Sequence, residues 1–317
     1  MFCSFLFLAA FVTQILVVSG FTGIIPLPRT SVIIKSSAAA TFNPVLLRQT
    51  APRKQRVNSL RLLPGSVCPY LNEALISHIP LSLLLLASKQ KSLTFAGLMH
   101  ATALGIGLYT FLDFRGWLVC VGYLIFGSLV TKVKMVEKEK LGIAEKRGGK
   151  RGPENVWGSA ATAMVCAVGT YVLPQYATLL RIGYVASLAT KLSDTCGSEI
   201  GKAYGRTTYL ITTLRRVPRG TEGAVSLEGT LAGVIGSVVL AGLAWALQVL
   251  PAAADEVQVA APAVCVAAAF VATTIESYIG AVFQDNIPWL TNELVNLIMT
   301  VIGAAVAMYM YSVLPRI

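Results

Sequence analysis

Residues 191–230 combine carboxylates with basic side chains in a pattern that suits metal and phosphate binding. Asp194 shares a helical face with Ser198, whereas Glu199, five positions after Asp194, lies on a different face. A carboxylate at the end of a membrane span can supply the oxygen ligands that Mg²⁺ needs. The residues that follow suit phosphate oxygens or add a carboxylate: Lys202, Arg206, Arg215, Arg216, Thr221 and Glu228. The stretch predicts a phosphate site, and a solvated loop of mixed charge explains it equally well.

A second group of polar residues lies near the carboxyl end of the chain. Glu276 and Gln284 share one helical face, and Asn292 shares a face with Asn296. Such side chains cannot face lipid, so they must point inward and find partners. Because a carboxylate inside a span is costly, we expect a ligand site that includes Glu276 rather than an interhelical hydrogen-bond cluster.

A third polar segment, residues 137–155, places cations next to glycines. Freely turning glycines allow backbone amides and cationic side chains to surround an anionic group. The candidates for this cradle are Arg147, Gly148, Gly149, Lys150, Arg151 and Asn155. The chain has no Walker loop. A basic loop that only follows membrane topology is the more common explanation of such a segment.

Small residues recur at every fourth position in Ser193, Gly197, Gly201 and Gly205. If this stretch is helical, the four residues form one face without large side chains. We expect another backbone to pack closely on that face.

Membrane helices must position these groups. Of the 317 residues 55% are hydrophobic and only 13% are charged, whereas a soluble domain carries about 25% charged residues. This composition excludes a water-soluble protein and predicts an all-α, polytopic membrane helix bundle. Six segments are long enough to cross about 30 Å of hydrocarbon: residues 93–112, 114–133, 157–177, 227–250, 257–283 and 294–314.

Two weaker segments bring the expected total to seven or eight spans. Residues 71–87 form a short apolar run that contains Pro80. Residues 182–193 are shorter still, and could be a half-helix or could continue past Asp194.

The distribution of charge predicts that the three polar segments meet at one membrane face. Lys and Arg prefer the untranslocated side of short loops. Residues 132–155 contain eight basic residues and residues 194–226 contain five, whereas residues 251–256 contain two acids and no base. If all eight segments cross, the basic residues 53–61 fall on the opposite face, unless the leader is removed beyond them.

The chain is expected to begin with a targeting leader. Residues 1–20 resemble a signal peptide, residues 21–65 have the composition of a disordered transit peptide, and residues 66–317 form the membrane domain. This tandem leader predicts a multi-pass protein of an envelope or thylakoid membrane in a complex plastid. A signal anchor followed by a disordered basic arm is the alternative. Much of the net charge of +11 belongs to the leader, so no nucleic-acid partner is expected.

Several separated motifs between residues 93 and 314 resemble the integral-membrane phytyl-phosphate kinases of plastids, whose relatives include transmembrane protein 19. The motifs are residues 142–158 (GIAEKRGGKRGPENVWG), 193–195 (SDT), 198–201 (SEIG), 210–213 (LITT), 226–230 (SLEGT), 276–284 (ESYIGAVFQ) and 292–296 (NELVN). Asp194 with the glycines after it also looks like the CTP-dependent polyprenol, dolichol and phytol kinases. Many relatives have Ala at Ser193 and Asp at Glu276 and Glu293.

The resemblance implies a phosphotransferase and a mechanism. The terminal phosphoryl group of CTP or ATP would move to phytyl phosphate, giving phytyl diphosphate for tocopherol and phylloquinone synthesis, while the isoprenoid tail stays in the lipid phase. The implied Mg²⁺ ligands are Asp194, Glu199 and either Glu228 or Glu276. The implied contacts to migrating oxygens are Lys202, Arg206, Arg215 and Arg216, and Arg147, Lys150 and Arg151 would steer phosphate inward.

Two other functions stay open. A membrane lipid nucleotidyltransferase would use the same site and release pyrophosphate. A polytopic transporter would have related halves, and the sequence contains no internal repeat.

Overall fold

A computed structural model of the chain describes residues 68–87, 92–145, 149–251, 260–284 and 286–313. The signal-peptide and transit-peptide predictions concern residues 1–65, which lie outside the described residues. The described residues all belong to one compact unit.

Within these ranges the chain forms eight α-helices and a single pair of short strands. The helices are α1 (Leu71–Ala87), α2 (Phe95–Thr131), α3 (Met135–Lys140), α4 (Pro153–Val172), α5 (Ala177–Tyr204), α6 (Leu227–Ala246), α7 (Ala260–Ile279) and α8 (Asn292–Val313). A 3₁₀ turn, Pro174–Tyr176, precedes α5, and a π-helical turn, Gly280–Gln284, continues α7. The strands β1 (Tyr209–Leu210) and β2 (Ala224–Val225) pair antiparallel. The all-α prediction is confirmed.

Local signals in the sequence account for several helix starts. The Thr94 side chain caps α2 by accepting a hydrogen bond from the Gly97 amide at 3.0 Å. Ser226 caps α6 in the same way through the Gly229 amide, at 3.1 Å. Pro153 occupies the first turn of α4, where its missing N–H costs no helical hydrogen bond.

Helix α2 is broken at Asp113, whose φ of 60° and ψ of −172° are not helical. In a straight helix Gly97 and Gly127 would lie about 45 Å apart. Instead, Gly97 packs against the carbonyl of Arg151 and Gly127 packs against its guanidinium group. Residues 95–112 and 114–131 are therefore two halves that fold back on each other, in agreement with the two spans predicted on either side of Asp113.

Four helices are long and apolar enough to cross a membrane: α2, α6, α7 with its π-helical turn, and α8. Helices α4 and α5 pass the same test only as a pair, and they are bent by 119° at their junction. Helix α1 is apolar but shorter. The chain is thus a membrane helix bundle, and the total of seven or eight passes stays a prediction.

Helix α5 occupies the centre of the bundle, in contact with α2, α4, α6, α7 and α8. Residues 182–193 are buried without interruption, and the helix continues past Asp194 to Tyr204. The alternative in which this segment continues past Asp194 is therefore confirmed. The apolar run in this segment is short because the segment includes Ser187, Thr190 and Lys191. These three side chains are buried against other helices and do not contact lipid.

The predicted small-residue face of α5 is confirmed as a packing surface, and its partner is α6. A Cβ atom added to Gly229 would lie 2.7 Å from the Gly197 carbonyl oxygen, and one added to Gly233 would lie 3.0 Å from the Ser193 carbonyl oxygen. At Gly201 a Cβ atom would lie 3.4 Å from the Ser226 hydroxyl. The two backbones lie this close because neither helix carries a large side chain there.

Candidate functional site

A polar cavity of about 940 Å³ lies where several helices begin or end. Its wall contains residues from all three polar segments, among them Arg151, Asp194 and Asn292. The three segments therefore meet in one cavity, and their location at one membrane face stays a prediction. The predicted site residues that line the cavity are Gly149, Lys150, Arg151, Asn155, Asp194, Glu199, Lys202, Thr221, Glu276, Gln284, Asn292 and Asn296.

Three helices direct their amino termini to this cavity. Asn155 in the first turn of α4, Ser226 at the cap of α6 and Asn292 at the start of α8 all line it. Amino termini carry partial positive charge from unpaired amides and the helix dipole. These amino termini can contact an anionic group, and they offset part of the negative charge of the carboxylates that line the cavity.

A buried lysine joins the carboxylates at the inner end of the cavity. Lys191 Nζ lies 2.6 Å from Asp194 Oδ2 and donates to Asn296 Oδ1 at 2.8 Å, linking α5 to α8. Glu276, on α7, interacts electrostatically with both Asp194 and Lys191. One cation therefore offsets part of the repulsion between two carboxylates on facing helices.

A second buried ion pair anchors α3 to α5. Lys138 is 1% exposed, contacts the Glu199 carboxylate and donates to the Thr131 carbonyl at 2.8 Å. Lys202 Nζ lies 3.8 Å from the other Glu199 oxygen. Two lysines thus neutralise Glu199, so in this arrangement its clearest role is to hold α3 in place beside the cavity.

The four carboxylates predicted as metal ligands have different surroundings in the structure. Among the described residues, no three His, Cys, Asp or Glu side chains form a group that could hold a metal ion. Mg²⁺ bound with a nucleotide needs only one or two carboxylates, because phosphate oxygens and waters complete its shell. Asp194, which pairs with Lys191, and Glu276 line the cavity and meet that requirement. Glu199 lies between two lysines, and Glu228 is absent from the cavity wall.

Arg151 is fixed in the cavity wall by neutral partners. Its Nη1 donates to the Tyr123 hydroxyl at 3.1 Å, and its guanidinium carbon lies 5.5 Å from the centre of that ring. Its backbone amide donates to the Ser92 carbonyl at 3.0 Å. Within the described residues neither Arg151 nor its neighbour Lys150 forms an ion pair. Their charge is available to an anion in the cavity.

Asn155 connects the start of α4 to the start of α8. Its side-chain oxygen accepts from the Gly152 amide at 3.0 Å, and its amide nitrogen donates to Glu293 Oε1 at 3.5 Å. A Cβ atom on Gly158 would lie 2.8 Å from the Glu293 carbonyl oxygen. These contacts fix two of the three amino termini relative to each other.

The arginines after α5 are not brought to the cavity. The pairing of Tyr209 with Val225 folds residues 209–225 into a hairpin, and Arg215 and Arg216 lie exposed on it. Arg206 and Arg216 line a separate pocket of about 270 Å³, and Arg215 lines neither cavity. The carboxylate of Glu228 accepts a hydrogen bond from the Arg206 amide at 3.3 Å. Of the four cations assigned to migrating oxygens, only Lys202 reaches the cavity wall.

The remaining predicted site residues, Arg147 and Gly148, lie outside the described residues.

Comparison with known proteins gives the family of the chain. Residues 78–304 match the family described as integral membrane protein DUF92. The chain belongs to this family. The match confirms the resemblance drawn from the separated motifs. No solved structure matches the chain.

Relatives of this DUF92 chain occur in bacteria, plants and archaea. It is 49% identical over 240 residues to an uncharacterized membrane protein of Synechocystis sp., covering 75% of this chain and 90% of the relative. It is 46% identical over 224 residues to protein VTE6, chloroplastic, of Arabidopsis thaliana, covering 69% and 65%. An uncharacterized membrane protein of Methanocaldococcus jannaschii is 29% identical over 233 residues, covering 73% and 91%.

Sequence reasoning missed several residues that shape the DUF92 cavity. Lys191 carried a usable signal, because a lysine within a buried run and three residues before Asp194 must pair with an acid. Lys138 carried none, since it is one of several lysines in the charged stretch 132–140. Tyr123 lies in an apolar span and gave no indication that it would hold Arg151.

Proposed function

We propose that this chain is a phytyl-phosphate kinase of a plastid membrane. It would transfer the terminal phosphoryl group of a nucleoside triphosphate to phytyl phosphate and so supply phytyl diphosphate for tocopherol and phylloquinone synthesis. The motif resemblance supports the reaction, and the 46% identity to a chloroplastic protein supports the compartment.

The observation that carries the proposal is the single cavity formed by three sequence-distant polar segments within an apolar bundle. A reaction between a nucleotide and a phosphorylated lipid needs a polar chamber that is open to water and in contact with the bilayer. It also needs positive charge, because two polyanions repel each other. Lys150, Arg151 and three helix amino termini provide that charge.

The chemical step is an in-line displacement. An oxygen of the phytyl phosphate attacks the terminal phosphorus of the nucleotide, the bond from that phosphorus to the bridging oxygen breaks, and a nucleoside diphosphate leaves. No covalent enzyme intermediate is required. Arg151 and Lys150 would orient phosphate oxygens, and Lys202 would stabilise charge on the groups that separate.

The carboxylates Asp194 and Glu276 would hold Mg²⁺, and Lys191 keeps Asp194 oriented toward the cavity. When bound, Mg²⁺ would offset the negative charge of the donor phosphates. Asn296 fixes Lys191 from the opposite helix. Lys191 and Asn296 therefore position Asp194, the acid on which nucleotide binding depends.

The test is purified protein in lipid nanodiscs with phytyl phosphate, Mg²⁺ and nucleotide labelled on the terminal phosphate. The proposal expects labelled phytyl diphosphate and unlabelled nucleoside diphosphate, and CTP and ATP are compared directly. Chelation of Mg²⁺ should abolish product. Absence of a diphosphate product with either nucleotide would refute the proposal.

The same assay separates the alternatives. A lipid nucleotidyltransferase would release pyrophosphate and form a nucleotide-linked lipid. A transporter would move substrate across liposomes without nucleotide.

A further inference from the structure

The polar cavity does not end at the carboxylates but continues down between α6 and α7. Phe270, Thr273 and Thr274 of α7 line it, together with Thr230 and Gly233 of α6. Phe270 lies six residues before Glu276, which is about 9 Å along the helix. Gly233 packs on Ser193, next to Asp194 in the chain. The lower part of the cavity is therefore continuous with the proposed reaction site.

In this lower part, residues on both walls are exposed. Phe270 and Thr274 are exposed on α7, and Thr230 is exposed on α6. Phe270 is 48% exposed although it lies in a helix apolar enough to cross a membrane. A large apolar side chain with this exposure, in such a span and in the cavity wall, suits contact with an apolar ligand or with lipid.

Close backbone contact between the β hairpin and the end of α7 covers one end of this part of the cavity. A Cβ atom on Gly223 would lie 2.6 Å from the Ser277 carbonyl oxygen and 2.7 Å from the Ala281 amide nitrogen. The end of the β hairpin thus packs directly on the last turns of α7. This contact covers the cavity on the hairpin side of Ser277, whereas Thr274 and Phe270, farther along α7, are exposed.

The walls of this part of the cavity offer carbon rather than polar atoms. The Thr274 hydroxyl donates to the Phe270 carbonyl at 2.8 Å, and the Thr273 hydroxyl donates to the Ala269 carbonyl at 3.0 Å. Because both hydroxyl protons are used within α7, these threonines can present their methyl groups to a ligand. An apolar chain can lie there without leaving the donors unpaired.

We propose that the isoprenoid chain of the acceptor leaves the cavity through this window, which is lined by Thr230, Phe270 and Thr274, and continues into the bilayer. The nature of the occupant rests on the proposed function. The phosphate end lies among the polar groups, the first isoprene units pass Thr274, and the remainder of the tail is solvated by lipid. A site of this kind recognises the start of the chain and does not measure its full length.

The position of the chain is tested by photolabelling, which requires no turnover. A geranylgeranyl monophosphate with a diazirine on its second isoprene unit is bound to the protein in nanodiscs and irradiated. Label is expected on residues 227–240 and 266–278, and unlabelled compound should displace it. Label confined to other helices would overturn the window even if the kinase assay succeeds. Label at the window with no diphosphate product would instead refute only the proposed reaction.

The second test places a large side chain in the window. Thr274→Trp is expected to raise the acceptor KM about tenfold, the effect of losing roughly two buried methylene groups, and to change the nucleotide KM less than about twofold. Val238→Trp, at an exposed position of α6 that does not line the cavity, is the matched control. Equal effects of the two variants would overturn the proposal.

Chain-length dependence completes the experiment. Monophosphates with ten, fifteen and twenty carbons should give acceptor KM values within about threefold of each other, since the distal units contact lipid in every case. A steep optimum at one length would show an enclosed pocket and would overturn the open window.

Discussion

Two regions that follow one another along the chain have similar residue types but different surroundings. The inner end of the cavity contains Lys191 and Asp194 in direct contact within the bundle. The hairpin that follows α5 carries Arg215 and Arg216 on its exposed surface. Both regions suited phosphate binding by residue type, and only the first lines the cavity. Chemistry can be read from residue types, but access to a common site depends on the path of the backbone.

The largest effect is expected from removal of the buried cation. Lys191→Met leaves the Asp194 carboxylate without its cation and the Asn296 side-chain oxygen without its donor, and it should lower the free energy of unfolding by about 3–5 kcal/mol. Unfolding in mixed micelles measures this change. Lys134→Met, which removes a more exposed pair with Glu137, should cost less than about 1 kcal/mol. Similar losses in both variants would contradict the central role of Lys191.

A double variant sharpens this result. Lys191→Met combined with Asp194→Asn removes one charge of each sign and should recover part of the lost stability. It should not recover turnover, because the carboxylate is missing. Recovery of both would show that Asp194 acts only through its pairing with Lys191.

The next effect is on turnover. Asp194→Asn keeps the shape of the side chain and removes its charge, and it should lower kcat about 100-fold or more. It also leaves the buried Lys191 without its anion, so a loss of stability is expected as well. Labelled-nucleotide kinetics and a thermal unfolding scan measure the two quantities. The control is the same substitution at Asp113, in the bend of α2. Unchanged turnover in Asp194→Asn would exclude it as a catalytic residue.

Loss of a cavity cation should affect substrate binding more than turnover. Arg151→Ala removes charge-assisted hydrogen bonds to phosphate and is expected to raise a substrate KM about tenfold or more. Arg115→Ala is the control, because that arginine instead donates to Gln248 at 2.5 Å. If both variants retain the original KM values, Arg151 does not contact substrate.

The smallest effect is expected at the hairpin. Arg215→Ala with Arg216→Ala removes two exposed cations and should change kcat/KM by less than about twofold, as is usual for surface substitutions. A loss comparable to that of Arg151→Ala would show that the hairpin moves over the cavity during the reaction. The hairpin and the cavity would then both act on the substrates.

Much of the fold could be predicted because membrane helices leave local signals. Long apolar runs predicted most of the helices. Asp113 separates two of these runs in the sequence and breaks α2 into its two halves. The four-residue spacing from Ser193 to Gly205 identified a packing face, since helical periodicity is a property of the local sequence. The central position of α5 was harder to predict, because the composition of a helix surrounded by other helices does not need to suit lipid.

The candidate site was only partly predictable. The sequence indicated three polar segments and a common face, and the cavity contains residues from each of them. It did not indicate that Lys138 would pair with Glu199, since these residues are 61 positions apart. Nor did the sequence distinguish the role of Arg151 from that of Arg215. Both are cations in polar stretches, with glycines next to Arg151 and threonines next to Arg215.

The sequence by itself determined the membrane bundle and the small-residue packing face of α5, because hydrophobic length and side-chain spacing act over a few helical turns. It also predicted residues suited to phosphate binding. Only the tertiary structure decided which charges share the cavity. That choice depends on contacts between residues far apart in the chain, such as Lys191 with Asn296 and Gly223 with Ala281. Such contacts arise from how whole helices pack, and a short stretch of sequence contains no record of them.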